Sequence, residues 1–460
     1  MLKELLGPDI DELLRKKDYA GLKDGSAEWE APEAADLLMS LPEEEQPILF
    51  RLLPRARAAE VFAYLPMPEQ RRLLQSLTTE NVRNVLEEAA PDDRARLFGE
   101  LPAQVTQQLL GLLSAEELSK TRQLLGYPEE SVGRLMTPEY VAIHPEWTVG
   151  RALEHIRQHG KDAETINMIY VVDYHGKLID DLRLRKLILA DPSEAVATVM
   201  DRRFVALSAF TDREEAAKLM QKYDRVALPV TDSDGVLIGI VTVDDIIDVV
   251  EKEATEDIQK MAAVEALDEP YLQIGFFRMV KKRAGWLTLL FLGEMLTATA
   301  MGYFEREIAR AVVLALFIPL IIISSGGNSG SQAASLIIRA MALEEIRLRQ
   351  WWRVMRREFF SGLALGAVLG SIAFVRIILW PHHATLYGQH YMLVAVTVAA
   401  SLIGVVTWGS LTGSMLPFIM RRLGFDPAAS SAPFVATLVD VTGLVIYFTV
   451  AMAILHGTLL

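Results

Sequence analysis

Cysteine is absent from all 460 residues, which removes disulfides, thiolate catalysis and soft thiolate metal sites together. The first three-fifths of the chain lack a positive balance, because acidic residues outnumber basic ones there. Residues 283–460 hold 12 Lys+Arg and 8 Asp+Glu, which leaves 34 basic and 52 acidic residues, of 46 and 60, to residues 1–282. So acidic a block lacks the concentrated positive surface that nucleic-acid binding requires. The stretch MLKELLGPDI lacks an uninterrupted apolar core after its first charges, so a secretory signal is not expected there. No HExxH or GxSxG pattern lies in the apolar segments, which argues against a membrane enzyme.

What is present falls into four parts. Residues 1–130 carry a twelve-residue grid of Leu41, Leu53, Leu65, Leu77, Leu101 and Leu113, with Ala89 at the missing node. Proline follows closely at Pro42, Pro54, Pro66, Pro91 and Pro102. Proline suits the first turn of a helix and blocks continuation of the one before. The pattern predicts short helices stacked as a superhelix, with an ordinary helical bundle as the alternative.

Residues 131–199 and 200–254 repeat each other. Met136-Thr137-Pro138 matches Met200-Asp201-Arg202, and IYVVDYHGKLI (169–179) matches LPVTDSDGVLI (228–238). Helices alternate with β-branched strands and Asp/Gly turns, which predicts βαββα in each copy. The pair resembles tandem cystathionine-β-synthase-type (CBS) domains, modules that commonly sense nucleotides or ions. The Gly-x-x-Thr-x-x-Asp pattern for ribose and phosphate is kept as Gly239, Thr242 and Asp245 in the second copy. In the first copy, Asp180, Arg183 and Lys186 stand there, and position 225 is Arg where an aromatic would stack on a base. Nucleotide regulation therefore has weak support, resting on Thr242 and Asp245.

An acidic connecting helix is expected over 243–270, overlapping the end of the second copy. Asp245, Asp248, Glu253, Glu256 and Asp257 recur on it at helical spacings. Adjacent like charges destabilise a helix unless compensated; a solvated face and a cation-binding face both fit. Residues 271–460 form the membrane part. Spans are expected at 284–303, 311–342, 359–380, 391–420 and 434–455, each long enough for a hydrocarbon layer of roughly 30 Å. The second is expected to be interrupted by SSGGNSGSQ (324–332), and the fourth to be broken by Gly404, Gly409 and Gly413. Basic clusters at 281–283, 347–357 and 421–422 fall on one side. That puts the acidic block in the cytoplasm and, with five spans, the C-terminus outside a cytoplasmic membrane.

Ionisable and polar groups inside spans are costly and so informative. Asp440 is the one ionisable residue of the last span and lies too far from its ends to snorkel. It reads as a pore ligand for a hard cation, or as a carboxyl that ties helices together. Two such carboxylates in a symmetric dimer would suit Mg²⁺, which keeps its waters and takes octahedral oxygen ligation. Asn328 and Gln332 sit in the Gly-rich segment, which reads as a wet non-helical lining or as close helix packing. Pro433 and Ala436 would expose carbonyls by weakening the start of the last helix. Glu294 is a second intramembrane acid, either pore-associated or structural.

GGNSGSQAASLIIRAMAL (326–343) and PFVATLVDVTGLVIYF (433–448) resemble the pore segments of the MgtE family of magnesium channels, and the order of parts matches over essentially the whole chain. The resemblance implies a homodimer in the lipid bilayer with its pore between the second and fifth spans. It implies Asp440 as pore carboxylate, the connecting helix as a plug, and Mg²⁺ as both cargo and regulator. It further implies a sensor of Asp245, Asp248, Glu253, Glu256 and Asp257 with Asp224, Asp92, Asp93 and Glu60. A coupled transporter of divalent cations (Mg²⁺, Co²⁺ or Mn²⁺) is the alternative, since a broken span also suits alternating access.

Overall fold

The computed structural model describes residues 12–14, 16–26, 29–267, 271–272, 274–318, 325–343, 345–382 and 386–459. They divide into two units, Met1–Glu251 and Lys252–Leu460, each with its own core.

The first unit opens with short helices: α1 Tyr19–Ser26, α2 Ala31–Ser40, α3 Gln46–Leu52, α4 Arg55–Ala63, α5 Met67–Ser76, α6 Thr79–Glu88, α7 Pro91–Glu100, α8 Ala103–Leu110 and α9 Ala115–Leu125. The Leu/Pro grid is their punctuation. Leu41, Leu53, Leu77, Ala89 and Leu101 are extended C-cap residues, while Pro54, Pro66 and Pro102 occupy N-caps and Pro91 the first turn. A proline there forfeits no helical bond, because those N–H groups have no intrahelical acceptor. Each leucine instead turns inward; Leu41, Leu53 and Leu65 are buried in one continuous core.

After α10 (Val132–Leu135) come two copies of one small fold. The first is β1 Ala142–Ile143, α11 Val149–His159, β2 Met168–Val172, β3 Leu178–Arg183 and α12 Leu184–Leu189, followed by α13 Val196–Val199. The second is β4 Leu207–Ser208, α14 Arg213–Tyr223, β5 Ala227–Thr231, β6 Leu237–Thr242 and the start of α15, Val243–Met261. In both, the first strand pairs parallel with the second and the second antiparallel with the third. Even the register shift recurs, at Val171/Val172 and Val230/Thr231. The copies cross-brace: Thr137 exchanges backbone bonds with Ile240 of β6, and Asp180 of β3 accepts from the amides of Asp201 and Arg202.

Helix α15 stops at Met261, earlier than the sequence predicts. Ala263 adopts φ 57°, its N–H donates to Lys260 and that of Val264 to Gln259. This left-handed closure satisfies the last carbonyls and ends the helix without glycine. Residues 268–270 of the expected helix lie outside the described residues.

The second unit contains α16 Phe276–Tyr303, α17 Glu305–Arg310, α18 Val312–Ala315, α19 Gly327–Ala342, α20 Trp351–Leu379, α21 Tyr391–Arg422 and α22 Ala432–Leu455. Among the described residues, α16, α20 with its leading turn, α21 and α22 are long and apolar enough to cross a membrane. The expected second span is represented by α18 and α19, with 319–324 outside the described residues.

Glycine works here against expectation. α21 is continuous through Gly404, Gly409, Gly413 and even Pro417, and 327–332 are helical. A Cβ on Gly413 would sit 2.0 Å from the Gly330 carbonyl oxygen, and one on Gly409 2.4 Å from that of Gly326. These glycines permit contact between backbones, not a break. The same holds for Gly362, Gly366 and Gly370, a stripe on α20 that lies on the backbone of α21 and that the sequence reading missed.

Candidate cation sites

In the first unit, carboxylates gather where α7 approaches the start of α15. α7 is anchored by the fully buried Arg94, which donates to the Leu86 and Ala89 carbonyls and to Thr121, and pairs with Glu117. That fixes the helix start carrying Asp92 and Asp93. Asp92 is buried and its Oδ1 has no hydrogen-bond partner. Burial, then the charges of Asp245, Asp93 and Glu164, push its carboxyl well up. Asp245, whose Oδ2 accepts from Thr242 at 3.3 Å, is raised to about 7 by burial and by Asp244 and Asp93. Burial also raises Asp93, with Arg96 opposing and Asp244 and Asp248 adding. Glu164 is raised by burial and then by Asp244 and Asp93.

Arg96 is the local cation. It bonds Asp93 at 2.5 Å and Asp248 at 3.1 Å. The structure thus joins Asp92, Asp93, Asp245 and Asp248, and adds Glu164, Asp244 and Arg96. The sequence reading passed over Glu164 and Arg96 because nothing local marks them as neighbours of α15, whereas Asp244 lies on that helix next to Asp245 and was open to it.

Other expected sensor residues lie elsewhere. Asp224 is an exposed C-cap of α14 at φ 51°, and Glu60 is exposed and pairs with Arg57 at 2.7 Å. Neither joins the cluster: the turn after α14 holds one outward, and a helix neighbour satisfies the other. Glu253, Glu256 and Asp257 belong to the second unit. There Lys260 bridges Glu256 and Asp426, at 2.6 Å to each. Burial works against its charge, but those two carboxylates outweigh it and hold the ammonium above the ordinary lysine value.

Among the described residues, no three carboxylate or imidazole groups converge to enclose a bare metal ion. A hydrated ion needs no such enclosure, because Mg²⁺ is commonly held through its retained waters. The buried, unpartnered Asp92 oxygen and the raised carboxyls are the signs of a negative site that Arg96 compensates only in part.

In the second unit, Asp440 is buried on α22, and its Oδ1 also has no hydrogen-bond partner. It faces the first turn of α19: a Cβ built on Gly327 would be 3.9 Å from that oxygen and 3.3 Å from the Ala436 Cβ. Glu294 of α16 is exposed. Asn328 and Gln332, one helical turn apart on α19, are exposed. The start of α22 is not weakened as expected. Pro433 lies in its first turn, Ser431 caps Phe434, and the Ala432 and Pro433 carbonyls accept from Ser331 and Thr437. Close by, Ser329 bonds Ser410 at 2.7 Å, which ties α19 to α21.

Comparison with known proteins covers both units. Residues 318–450 match the family described as MgtE, divalent cation transporter; 29–130 match the MgtE intracellular N domain; 132–192 and 196–252 match CBS domains. The chain is 41% identical to the magnesium transporter MgtE of Thermus thermophilus, covering 99% of this chain and all of that one. It is 33% identical to the magnesium transporter MgtE of Bacillus subtilis over 91% of this chain and 94% of the relative. The crystal structure of the cytosolic domain of the Mg²⁺ channel MgtE in complex with ATP is 41% identical, with TM-score 0.50, covering 52% of this chain and 98% of that one. The soluble part of a magnesium transporter superposes with TM-score 0.51 at 31% identity, covering 53% and 96%.

Proposed function

The chain belongs to the MgtE family of magnesium transporters, and on that premise we propose that it is a Mg²⁺ channel of the cytoplasmic membrane, closed by cytosolic Mg²⁺. The observation that carries the pore assignment is the buried, unpartnered Asp440 oxygen that faces the first turn of α19. A carboxylate with a free lone pair at membrane depth is a ligand for a hydrated hard cation. In a homodimer the residue and its copy supply two carboxylates on one axis. α16, none of whose residues is buried, offers surface to lipid or to that second copy.

The gate follows from differential binding. Like charges around Asp92 and Asp245 favour separation of the elements carrying them; a cation between them favours the compact form. Mg²⁺ shifts the equilibrium toward closure only by binding that form better. The second half of α15, with Glu253, Glu256 and Asp257, then acts as the plug, and the soluble unit is cytoplasmic with the C-terminus outside.

Flux of Mg²⁺, Mn²⁺, Co²⁺ and Ca²⁺ into liposomes, for the native chain and Asp440→Ala, is the test. Replacement is expected to lower Mg²⁺ flux by about a hundredfold or more; unchanged flux removes Asp440 from the pathway. Glu294, a second acid in the spans, favours a second reading, a proton-coupled carrier. Under that reading flux requires a proton gradient, and without the gradient it stops.

A further inference from the structure

Half of the chain's eight histidines, His144, His155, His159 and His175, lie close together in the first CBS copy. Three of them join one row of rings. Tyr174 stacks on His144 at 5.5 Å between centroids, Trp147 stands edge-on to both His144 and His155 at 5.0 Å, and His155 stacks on His159 at 4.1 Å. The second copy shows that the fold does not call for this row. Helices α11 and α14 each run 11 residues from a side-chain N-cap, Thr148 and Asp212. Counted from those caps, the second copy carries Ser208, Thr211, Leu219 and Tyr223 in place of His144, Trp147, His155 and His159.

His155 and His159 are four residues apart and so share one face of α11. The hydrogen bonds around the row decide which ring nitrogens are free. His159 Nδ1 lies 3.1 Å from the His155 carbonyl oxygen, and His144 Nδ1 lies 3.1 Å from that of Val172. A carbonyl only accepts, so each Nδ1 donates its proton and each neutral ring keeps a lone pair on Nε2. Burial, then the charges of His159, His144 and Arg151, hold the His155 ring below the ordinary imidazole value, which leaves it neutral with a lone pair of its own. An imidazole anchored through one N–H on a carbonyl, with its other nitrogen bare, is the form that ligates a metal.

We propose that His155 and His159 chelate a transition-metal dication of the Ni²⁺, Cu²⁺ or Zn²⁺ class, with waters completing its coordination. Two metal–nitrogen bonds of about 2.1 Å bridge the stacked rings once they tilt toward each other, and the terminal torsion of an imidazole is broad enough to allow the tilt. Nitrogen ligands select these ions over Mg²⁺, which takes oxygen. The adjacent acid offers little competition, because Glu154 is held by Arg157 at 3.4 Å and by Gln158 at 3.2 Å. Among the described residues no third imidazole or carboxylate closes around the pair, so the ion exchanges with solvent. The site shares no residue with the acidic cluster, and the proposal does not depend on the transport reading.

Isothermal titration of the tag-free full chain in detergent tests it, with Ni²⁺ as the probe and Mg²⁺ kept saturating so that oxygen sites are filled. The native chain is expected to bind Ni²⁺, and Mn²⁺ in its place should bind about tenfold more weakly or worse. His155→Ala and His159→Ala should each weaken Ni²⁺ by about tenfold or more, because the second bond of a chelate forms at high effective concentration. His175→Ala, on the exposed turn after β2, should bind as the native chain does. Thermal unfolding without Ni²⁺, unchanged in all three variants, reports that they are folded. No Ni²⁺ binding by the native chain, undiminished binding by either α11 variant, an equal loss in His175→Ala, or Mn²⁺ binding as tight as Ni²⁺ would overturn the proposal.

Discussion

Asp92 in the soluble unit and Asp440 in the membrane unit each hide a carboxylate oxygen without a hydrogen-bond partner, but their surroundings differ. Asp92 is crowded by Asp93, Asp245 and Glu164, with Arg96 as partial compensation. Asp440 stands without such a crowd and is backed by glycine-mediated helix contacts. A crowd of like charges amplifies small changes in cation concentration, because each neutralised group relieves several others. A single carboxylate on a rigid wall instead offers one contact that an ion can make and leave. Under the proposed reading, gauge and passage use the same functional group at different densities.

The rigid half of that comparison can be broken at its packing. Gly413→Val places carbon where the Gly330 carbonyl lies, and overpacking against backbone costs several kcal/mol, about 3 or more. Loss of thermal stability and of flux together is the expected outcome. A folded, conducting variant would mean that α19 and α21 do not need this contact.

The crowded half responds to pH. Carboxylates raised by folding bind more protons folded than unfolded, so their contribution to stability falls as pH rises from about 4 through about 7, the value of Asp245. In Mg²⁺-free buffer the soluble unit of the full chain should resist protease better at pH 6 than at pH 8. Added Mg²⁺ should protect more at pH 8. Equal protection at both pH values would show that these acids are not coupled to compaction.

A smaller effect sharpens the role of Arg96. Its pair with Asp93 is partly exposed, so its worth is discounted for solvent screening. Arg96→Gln should speed Mg²⁺-free proteolysis by about threefold and lower the Mg²⁺ needed for protection. Saturating Mg²⁺ should erase the difference. Unchanged proteolysis of the variant would instead make Arg96 a spectator.

Much of the architecture was legible because its signals are local. The Leu/Pro grid marks helix ends, the repeated Asp/Gly turns mark hairpins, and Asp440 stands alone in an apolar run. What stayed hidden depends on approach in three dimensions. Gly409 and Gly413 read as helix breakers, yet their missing side chains serve a neighbour far along the chain. Glu164 and Arg96 carry no pattern that links them to α15. Asp224 and Glu60 had been grouped with the sensor through family resemblance alone, and the fold gives each a separate place. The acidic helix was expected to run to 270, but a left-handed Ala263 stops it, a closure that composition does not announce.

The most direct test of the gauge-and-passage account is flux through reconstituted protein as Mg²⁺ on the side of the soluble unit is raised. It should compare the native chain with Asp92→Asn combined with Asp245→Asn. Native flux should fall steeply as that Mg²⁺ enters the millimolar range, and flux through the variant should change little, because its acids no longer repel or bind. Equal inhibition of the two would contradict the account.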